Sequence, residues 1–204
     1  MQLYYAPGTI SVAVAIALEE AGVTYDPIQV DFAAKEQTTS GYQQINPKGR
    51  VPALVADGGI LTETGALLEF IADLNPDAGL RPSDPIKAAR MREVMFYLAS
   101  TMHVNHAHKM RGSRWASQPS SYKDMKAKVP QTMTDSCQYI TQFGLRGPFV
   151  LGDTVSLADC YLYVITSWLE GDGVKLDNFP KIREFMTAME NRASVRAVYA
   201  KGML

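Results

Sequence analysis

Residues 46–68 read NPKGRVPALVADGGILTETGALL, and this stretch decides the fold of the first part of the chain. Two short apolar runs, 53–56 and 60–62, lie on either side of Asp57-Gly58-Gly59. Asp-Gly adopts the positive φ angles that a tight hairpin requires, so the two runs are predicted to pair as antiparallel strands. Helix formers then run from Thr64 to Leu74, with apolar residues at the spacing of one buried stripe.

The residues before this stretch predict a strand, a helix and a second strand. Gln2–Ala6 is rich in apolar and aromatic residues, Pro7-Gly8 interrupts it, and helix formers follow over Ser11–Ala21. Tyr25–Phe32 has the two-residue period of a half-buried strand, and Pro27 is typical of a strand at the edge of a sheet. Together with the hairpin and its helix, the first part reads β-α-β-α-β-β-α.

A proline-rich segment, Asn75–Pro85, separates this α/β part from a helical one. It holds three prolines and one glycine, which prevent a helix from continuing. We therefore place an α/β domain at residues 1–78, a linker at 79–85 and an all-α domain at 86–204. In the second domain an apolar stripe recurs at helical spacing through Met91, Val94, Met95, Leu98 and Met102.

One helix start inside the second domain is marked by a capping pattern. In Ser156-Leu157-Ala158-Asp159, the serine oxygen can accept a hydrogen bond from the third helical N–H, while the Asp159 carboxylate reaches back to the serine. Asp stands here in place of the usual Glu or Gln. The pattern predicts that a helix begins at Leu157.

Composition excludes several classes of protein. The chain has 204 residues, of which 47% are hydrophobic and 20% charged, and its net charge is -1, so it is expected to fold without binding nucleic acid. No apolar run approaches a membrane span, and the opening residues lack a basic export signal, so a cytoplasmic location is expected. The only cysteines, Cys137 and Cys160, suggest neither a disulfide framework nor a zinc site.

The order of these motifs resembles the cytosolic glutathione transferases over the whole chain. Four landmarks carry the resemblance: the opening LYYAPG of residues 3–8 with its helix, Val51-Pro52, Glu63-Thr64, and the segment Gly152–Asp159. The resemblance implies a thioredoxin-like first domain followed by an all-helical second domain. It also implies glutathione as co-substrate, with no metal or prosthetic group.

Two residues make the chain most similar to the bacterial beta class of that family, and one sets it apart. Lys35 and His103 match residues of the beta class. Beta-class members carry a cysteine near the start of the first helix, where this chain has Ile10. Chemistry that rests on that thiol is therefore not expected here.

The resemblance assigns glutathione to the first domain. It implies a cis bond between Val51 and Pro52, which turns the main-chain groups of Val51 toward the cysteinyl backbone of glutathione, although most X–Pro bonds are trans. It also implies that Glu63 binds the amino group and Thr64 the carboxylate of the γ-glutamyl end, at a helix N-terminus that attracts anions. The alternative is an ordinary N-cap pair that serves only the helix. Lys35 is expected to pair with the glycyl carboxylate, its alternative being an ordinary solvated lysine.

Activation of the glutathione thiol has several candidate donors where the first helix begins. They are the hydroxyls of Thr9 and Ser11, the main-chain N–H of Ile10 or Ser11, and the phenol of Tyr5. We favour Ser11, whose alternative role is to cap its helix. Tyr5 is the rival, because Tyr4 and Tyr5 point to opposite faces of a strand and only one of the two can face the ligand.

All three histidines lie in one short stretch of the second domain, at His103, His106 and His108. His103 and His106 share a helix face, but His108 is rotated away and no Asp or Glu occurs between Glu93 and Asp124, so we expect no metal site. The resemblance instead places His103 near the thiol, as a hydrogen-bond donor to sulfur or substrate.

The same domain is expected to bind the second substrate. Phe96, Met102, Trp115 and Trp168 would border a site for apolar electrophiles, although methionines at helical spacing more often belong to a core. In the beta class, an asparagine occupies the position of Phe96 and a lysine that of Val104, so this wall is less polar here.

Three functions are compatible with these residues. The leading one is a glutathione transferase, which conjugates the glutathione thiolate to apolar electrophiles. The second is a glutathione-binding or protein-interaction module with little activity, and the third, disfavoured by the missing cysteine, is a glutathione-dependent peroxidase or reductase.

A homodimer is also expected, because the family pairs the first domain of one subunit with the second domain of its mate. The charges agree with such a pairing. Residues 1–78 hold 3 Lys/Arg and 10 Asp/Glu, a net charge of -7, whereas residues 79–204 hold 17 and 11, a net charge of +6.

Overall fold

The computed structural model describes residues 1–204 and divides into two compact units. The first unit is Met1–Asp84 together with Met189–Leu204, and the second is Pro85–Ala188. The limits of 1–78 and 86–204 stay a prediction from linker composition. What that composition does not reveal is that Met189–Leu204 belongs with the first unit.

A mixed four-stranded sheet forms the centre of the first unit. The strands are β1 (Gln2–Tyr5), β2 (Asp26–Gln29), β3 (Ala53–Ala56) and β4 (Gly59–Thr62), in the order β2-β1-β3-β4. β2 runs parallel to β1, whereas β3 is antiparallel to both β1 and β4. Pro27 lies in the edge strand β2, where its missing N–H costs no ladder hydrogen bond.

Four helices complete this unit. They are α1 (Ser11–Glu20), α2 (Ser40–Ile45), α3 (Thr64–Leu74) and, after the five helices of the second unit, α9 (Ala193–Ala200). The predicted order β-α-β-α-β-β-α and the thioredoxin-like fold class are thereby confirmed. In α3, Leu67, Leu68 and Ile71 are buried as expected. Leu74 is exposed, contrary to the predicted stripe, because the helix ends at this residue.

Helix α1 is apolar on all sides, and this composition explains its position. Every residue from Ser11 to Leu18 is fully buried, since the helix packs against β1, α3 and α9 at once. A helix that is buried all round exposes none of these side chains to a ligand. Access to its first turn is therefore confined to the residues that precede Ser11.

The second unit is helical throughout. Its helices are α4 (Pro85–Tyr97), α5 (His103–Arg111), α6 (Pro119–Tyr139), α7 (Leu157–Thr166) and α8 (Pro180–Glu190), the last of which runs on into the first unit. A π-helical segment, Leu98–Met102, joins α4 to α5, and a second, Ile140–Gly144, follows α6. The predicted apolar stripe from Met91 to Met102 is buried. None of the helices has both the length and the apolar character that a membrane crossing requires.

The capping pattern before α7 is present as the sequence predicts. The buried carboxylate of Asp159 accepts hydrogen bonds from the Ser156 N–H at 2.8 Å and from the Ser156 hydroxyl at 2.7 Å. It also accepts the N–H of Val150 at 2.7 Å, a bond that ties the preceding loop to the helix. This third bond was not expected from the four-residue pattern alone.

Candidate active site

The loop before β3 presents the main chain of Val51 at the end of the sheet. The Val51–Pro52 peptide bond is cis, as the resemblance implied. The ladder between β1 and β3 ends at the pair Tyr4 and Ala53, so the main-chain groups of Val51 lie beyond the paired residues. They are placed where an extended ligand could continue the hydrogen-bonding pattern.

Two side chains that sequence reasoning did not single out hold this loop. The Asn46 amide donates to the Arg50 carbonyl at 2.6 Å, and the Tyr42 hydroxyl donates to the same carbonyl at 2.7 Å. Asn46 also accepts the Lys48 N–H at 3.1 Å, and both Asn46 and Tyr42 are buried. The segment Asn46-Pro47 was part of the quoted motif, but its role as a support for the residue before Val51 depends on long-range contacts.

Glu63 and Thr64 lie at the start of α3. Glu63 has φ 74° and ψ 118°. Residues other than glycine adopt such a backbone conformation at a cost of about 1–3 kcal/mol, and they do so most often at functional sites. Its exposed carboxylate pairs with the Lys48 ammonium at 2.5 Å, and that ammonium also donates to the Thr62 hydroxyl at 2.7 Å. Thr64 is largely buried within the first turn, beside N–H groups that no helical carbonyl accepts.

Lys35 also has a left-handed backbone, with φ 58° and ψ 29°, just before a 3₁₀ turn over Glu36–Thr38. Lys35 is exposed to solvent. The turn is fixed by the Glu36 carboxylate, which accepts the Asp31 N–H at 2.7 Å. The loop therefore displays the Lys35 ammonium to solvent from a defined backbone position, which suits recognition of a carboxylate.

The hydroxyls at the start of α1 form hydrogen bonds with one another and with the backbone. Thr9 donates to the Ala6 carbonyl at 2.8 Å, and the Thr9 and Ser11 oxygens lie 2.7 Å apart. Ser11 Oγ accepts the Ala6 N–H at 3.2 Å, and Ser11 is fully buried. Each hydroxyl has one proton, and both protons are used within this ring of hydrogen bonds. The arrangement therefore leaves no hydroxyl proton to donate to a thiolate, which disfavours Ser11, the candidate preferred from sequence.

Tyr5 is also placed unfavourably for contact with a ligand. It is buried, and its phenol lies near enough to Tyr25 to contribute, after burial and Glu19, to the raised pKa of the Tyr25 hydroxyl. Tyr4, on the opposite face of β1, packs edge-on against Tyr42 with ring centres 6.0 Å apart.

The remaining donors are main-chain N–H groups. The first bond of the α1 turn runs from the Val12 N–H to the Thr9 carbonyl at 3.0 Å, so the N–H groups of Ile10 and Ser11 precede the helical ladder. Ile10 is the N-cap residue of α1, and its side chain accepts no hydrogen bond from the N–H groups of the first turn. A helix N-terminus that lacks a cap combines free donors with a partial positive charge, which favours a bound anion.

In the second unit, an aromatic and polar cluster surrounds Trp168. The His106 ring stacks on Trp168 with centres 4.1 Å apart, and the His103 ring lies 5.2 Å from the same side chain. His106 Nδ1 is 2.7 Å from the buried Asp172 carboxylate, and Lys109 Nζ is 3.1 Å from its other oxygen. Asp172 was not a candidate in the sequence, because no local pattern links it to α5.

The other predicted electrophile residues differ in exposure. Phe96 is 70% exposed and Trp115 is 45% exposed, with the Trp115 ring 4.6 Å from that of His108. Met102 is fully buried in the π-helical segment and belongs to the core, as its place in the apolar stripe allows. No group of three or more His, Cys, Asp or Glu side chains is arranged to hold a metal ion.

Comparison with known proteins gives this architecture a family. Residues 1–73 match the glutathione S-transferase N-terminal domain, and residues 107–202 match the C-terminal domain. The chain is 30% identical over 207 residues to glutathione S-transferase GstA of Escherichia coli O157:H7, with 100% of both chains covered.

Two solved structures agree with this match. A glutathione transferase homolog from Sulfitobacter with bound glutathione is 60% identical, with a TM-score of 0.98 over 100% of this chain and 98% of that one. A beta-class glutathione S-transferase from Sphingomonas chungbukensis is 30% identical, with a TM-score of 0.86 and 100% of both chains covered. The chain belongs to the glutathione S-transferase family, and its enzyme class is glutathione transferase.

Proposed function

We propose that this glutathione transferase joins the sulfur of glutathione to apolar electrophiles and binds the tripeptide in its first unit. The observation that carries the proposal is the bound glutathione of the Sulfitobacter homolog, which is 60% identical to this chain. The cis Val51–Pro52 bond and the strained Glu63 at the start of α3 support the same placement.

Each end of the tripeptide has a proposed partner. The main-chain N–H and C=O of Val51 pair with the cysteinyl backbone, as an added strand does. Glu63 binds the α-amino group and Thr64 the α-carboxylate, which also gains from the free N–H groups of the first α3 turn. The glycyl carboxylate pairs with Lys35.

Thiol activation is assigned to the backbone at the start of α1. A free thiol has a pKa of about 8.5, and lowering it by about two requires about 2.7 kcal/mol of selective stabilisation of the thiolate. Hydrogen bonds to a charged group contribute about 1.5–3 kcal/mol each, and a helix N-terminus adds about 0.3–1 kcal/mol. The N–H of Ile10 together with the helix N-terminus is therefore sufficient without a cysteine, and the Thr9 and Ser11 hydroxyls hold the turn that presents it. The Ser11 N–H belongs to a residue with no solvent exposure.

The electrophile is assigned to the second unit. Phe96 and Trp115 are exposed aromatic residues and Trp168 is partly exposed, so all three can contact an apolar molecule. His103, which packs beside Trp168, is the proposed hydrogen-bond donor to the electrophile or the sulfur. Met102 supports this face from the core.

A homodimer and a cytoplasmic location complete the proposal. The dimer rests on the opposite net charges of the two parts of the chain, -7 for residues 1–78 and +6 for 79–204. The location rests on the family to which the chain belongs.

One specific observation favours a second function. Ile10 occupies the position of the beta-class cysteine, and the neighbouring hydroxyls are engaged within the chain. A chain that binds glutathione without activating its thiol would serve as a binding module.

Two measurements on the same preparation distinguish these functions. Calorimetry measures the affinity for glutathione, and a spectrophotometric assay with a chloronitrobenzene measures conjugation. Binding together with turnover supports the transferase, and binding without turnover of this or a panel of stronger electrophiles supports the module. No heat of binding at millimolar glutathione would overturn both.

A further inference from the structure

The segment Met189–Leu204 is built into the first unit by contacts that are distant in sequence. Helix α9 packs along α1. The Glu20 carboxylate near the end of α1 accepts a hydrogen bond from Arg192 Nη2 at 2.7 Å and from the Ser194 hydroxyl at 2.6 Å. Lys201 forms an ion pair with Glu19. These bonds fix α9 at the far end of α1 from its first turn.

The residues after α9 return to the opposite end of α1. Met203 donates its N–H to the Val198 carbonyl at 3.0 Å, and its side chain is fully buried. Its own carbonyl accepts the Gly8 N–H at 2.8 Å. Gly8 has φ 65°, in the left-handed region, so the turn that leads into α1 has a conformation that this bond helps to define.

This contact lies next to the groups assigned to thiol activation. Gly8 is followed directly by Thr9 and Ile10, and the ring of bonds between Ala6, Thr9 and Ser11 forms the rest of the turn. The side-chain ring holds the turn from within, whereas Met203 is an anchor from a segment almost 200 residues away in the sequence. A donor lowers the pKa of a thiol only while it is held in the right direction, because its effect depends on hydrogen-bond geometry.

We propose that Met203 is a positioning residue for the glutathione thiolate: its carbonyl, held by the buried side chain and by Val198, fixes the Gly8 turn and thereby aims the N–H of Ile10. This inference rests on the proposed function of the first unit. It assigns to the segment after α9 a role in thiol ionisation in addition to its role in packing.

The test compares deletion of Met203 and Leu204 with the substitution Val195→Ala. Val195 is also fully buried in α9 and lies outside the bonds that hold Met203, so its truncation weakens the packing of the segment while leaving the Met203 anchor in place. The pH dependence of thiolate absorbance in the glutathione complex measures the thiol pKa. S-methylglutathione has no thiol to ionise, so its affinity, measured by calorimetry, reports binding by the parts of the site that do not contact a thiolate.

The deletion is expected to raise the thiol pKa and to lower kcat/KM at pH 6.5 by about 10-fold, the equivalent of one good hydrogen bond. Its affinity for S-methylglutathione should stay within about twofold of the unchanged protein, by the same energy scale. Val195→Ala should leave the thiol pKa unchanged. If the deleted chain does not fold, Met203→Ala, which frees the carbonyl from its buried anchor, should raise the thiol pKa in the same direction.

Two results would overturn the inference: an unchanged thiol pKa in the folded variant, or an equal loss of affinity for glutathione and S-methylglutathione. The second would show that the segment supports the whole site and not the thiol. Failure of the unaltered protein to bind S-methylglutathione would instead contradict the proposed function, so the two failures are distinguishable.

Discussion

His106 Nδ1 lies 2.7 Å from Oδ2 of Asp172, a carboxylate whose side chain is fully buried. Lys109 approaches the other oxygen at 3.1 Å and also donates to the Gly171 carbonyl. The carboxylate thus joins the loop after α7 to two residues of α5. Because the carboxylate is withdrawn from water, these partners supply the hydrogen bonds that it would otherwise lack.

We expect Asp172→Ala to destabilise the protein by about 2–3 kcal/mol, since it leaves the His106 and Lys109 donors without their acceptor. The cost is below that of a fully buried pair because both partners reach water. Urea unfolding measures it. Trp168 fluorescence should change as well, since the His106 ring stacks on that side chain.

Asp177→Ala is the matched control for this change. Asp177 pairs with Arg183, but its side chain is 88% exposed, so its removal should change the free energy of unfolding by less than about 1 kcal/mol. Equal effects of the two substitutions would show that the His106–Asp172 bond adds nothing beyond a surface ion pair.

The second prediction concerns Asp159 and pH. Burial raises the pKa of its carboxyl from 3.8 to about 6, although hydrogen bonds from Ser156 and Val150 act in the opposite direction. A raised pKa in the folded state means that protonation favours folding. This contribution is full below about pH 3.8 and is lost as the pH rises through about 6.

Asp159→Asn removes this titration, and the comparison of the two proteins reveals its sign. The free energy of unfolding of the unaltered protein, minus that of the variant, should be largest near pH 4 and decrease toward pH 7, by at most about 3 kcal/mol. Urea unfolding at a series of pH values measures the difference. An increase with pH would mean that the hydrogen bonds outweigh burial and that the folded carboxyl is more acidic than the unfolded one.

The third prediction tests the proposed γ-glutamyl site. Glu63→Gln removes the charge that we propose pairs with the amino group of glutathione, while keeping a similar shape. We expect its Kd for glutathione to rise about 10-fold, the value of one charge-assisted hydrogen bond. Calorimetry measures the change. Asp57→Asn, an equal loss of charge in the exposed turn between β3 and β4, should leave Kd unchanged.

Much of the fold follows from local sequence pattern. The hairpin at Asp57-Gly58, the edge strand with Pro27 and the capped start of α7 each depend on residues close together in the chain. Their physical causes are a short turn, a missing donor and a local hydrogen bond. In the hairpin turn, however, the positive φ falls on Gly59, at 125°, and not on Asp57 or Gly58 as expected. Such causes can be recognised without knowledge of the rest of the molecule.

The site could be predicted only in part, because its remaining features depend on burial. Alternation along β1 separates Tyr4 from Tyr5 but does not say which face of the sheet is covered. The all-apolar α1 shows no stripe, so the burial of Ser11 could not be inferred from periodicity. The contact between Gly8 and Met203 spans nearly the whole chain and has no local signal.

A fourth prediction follows from the charge difference between the two parts of the chain. If the net charges of -7 and +6 attract one another across a homodimer, raising the salt concentration should weaken association. Sedimentation at 0.05 M and about 1 M sodium chloride measures the dimer dissociation constant, the higher salt reducing the screening length to about 3 Å. A monomer at both concentrations, or a dimer with the same constant, would contradict it.

The last prediction distinguishes a backbone donor from a hydroxyl donor to the thiolate. Tyr5→Phe removes a phenol that lies beside Tyr25 in the interior, so the thiol pKa in the glutathione complex should not change. Thr9→Ser keeps the bond to the Ala6 carbonyl and should also leave that pKa unchanged, whereas Thr9→Val breaks the ring of bonds with Ser11 and should lower stability by about 1 kcal/mol.

The decisive variant is Ser11→Ala. If the Ser11 hydroxyl bonds the sulfur directly, its loss raises the thiol pKa by about one to two, the equivalent of a hydrogen bond to a charged group. If the main-chain N–H at the start of α1 provides the stabilisation, the Ser11 hydroxyl acts only by holding the turn, so Ser11→Ala should change the thiol pKa no more than Thr9→Val does, and its main cost should appear in the free energy of unfolding.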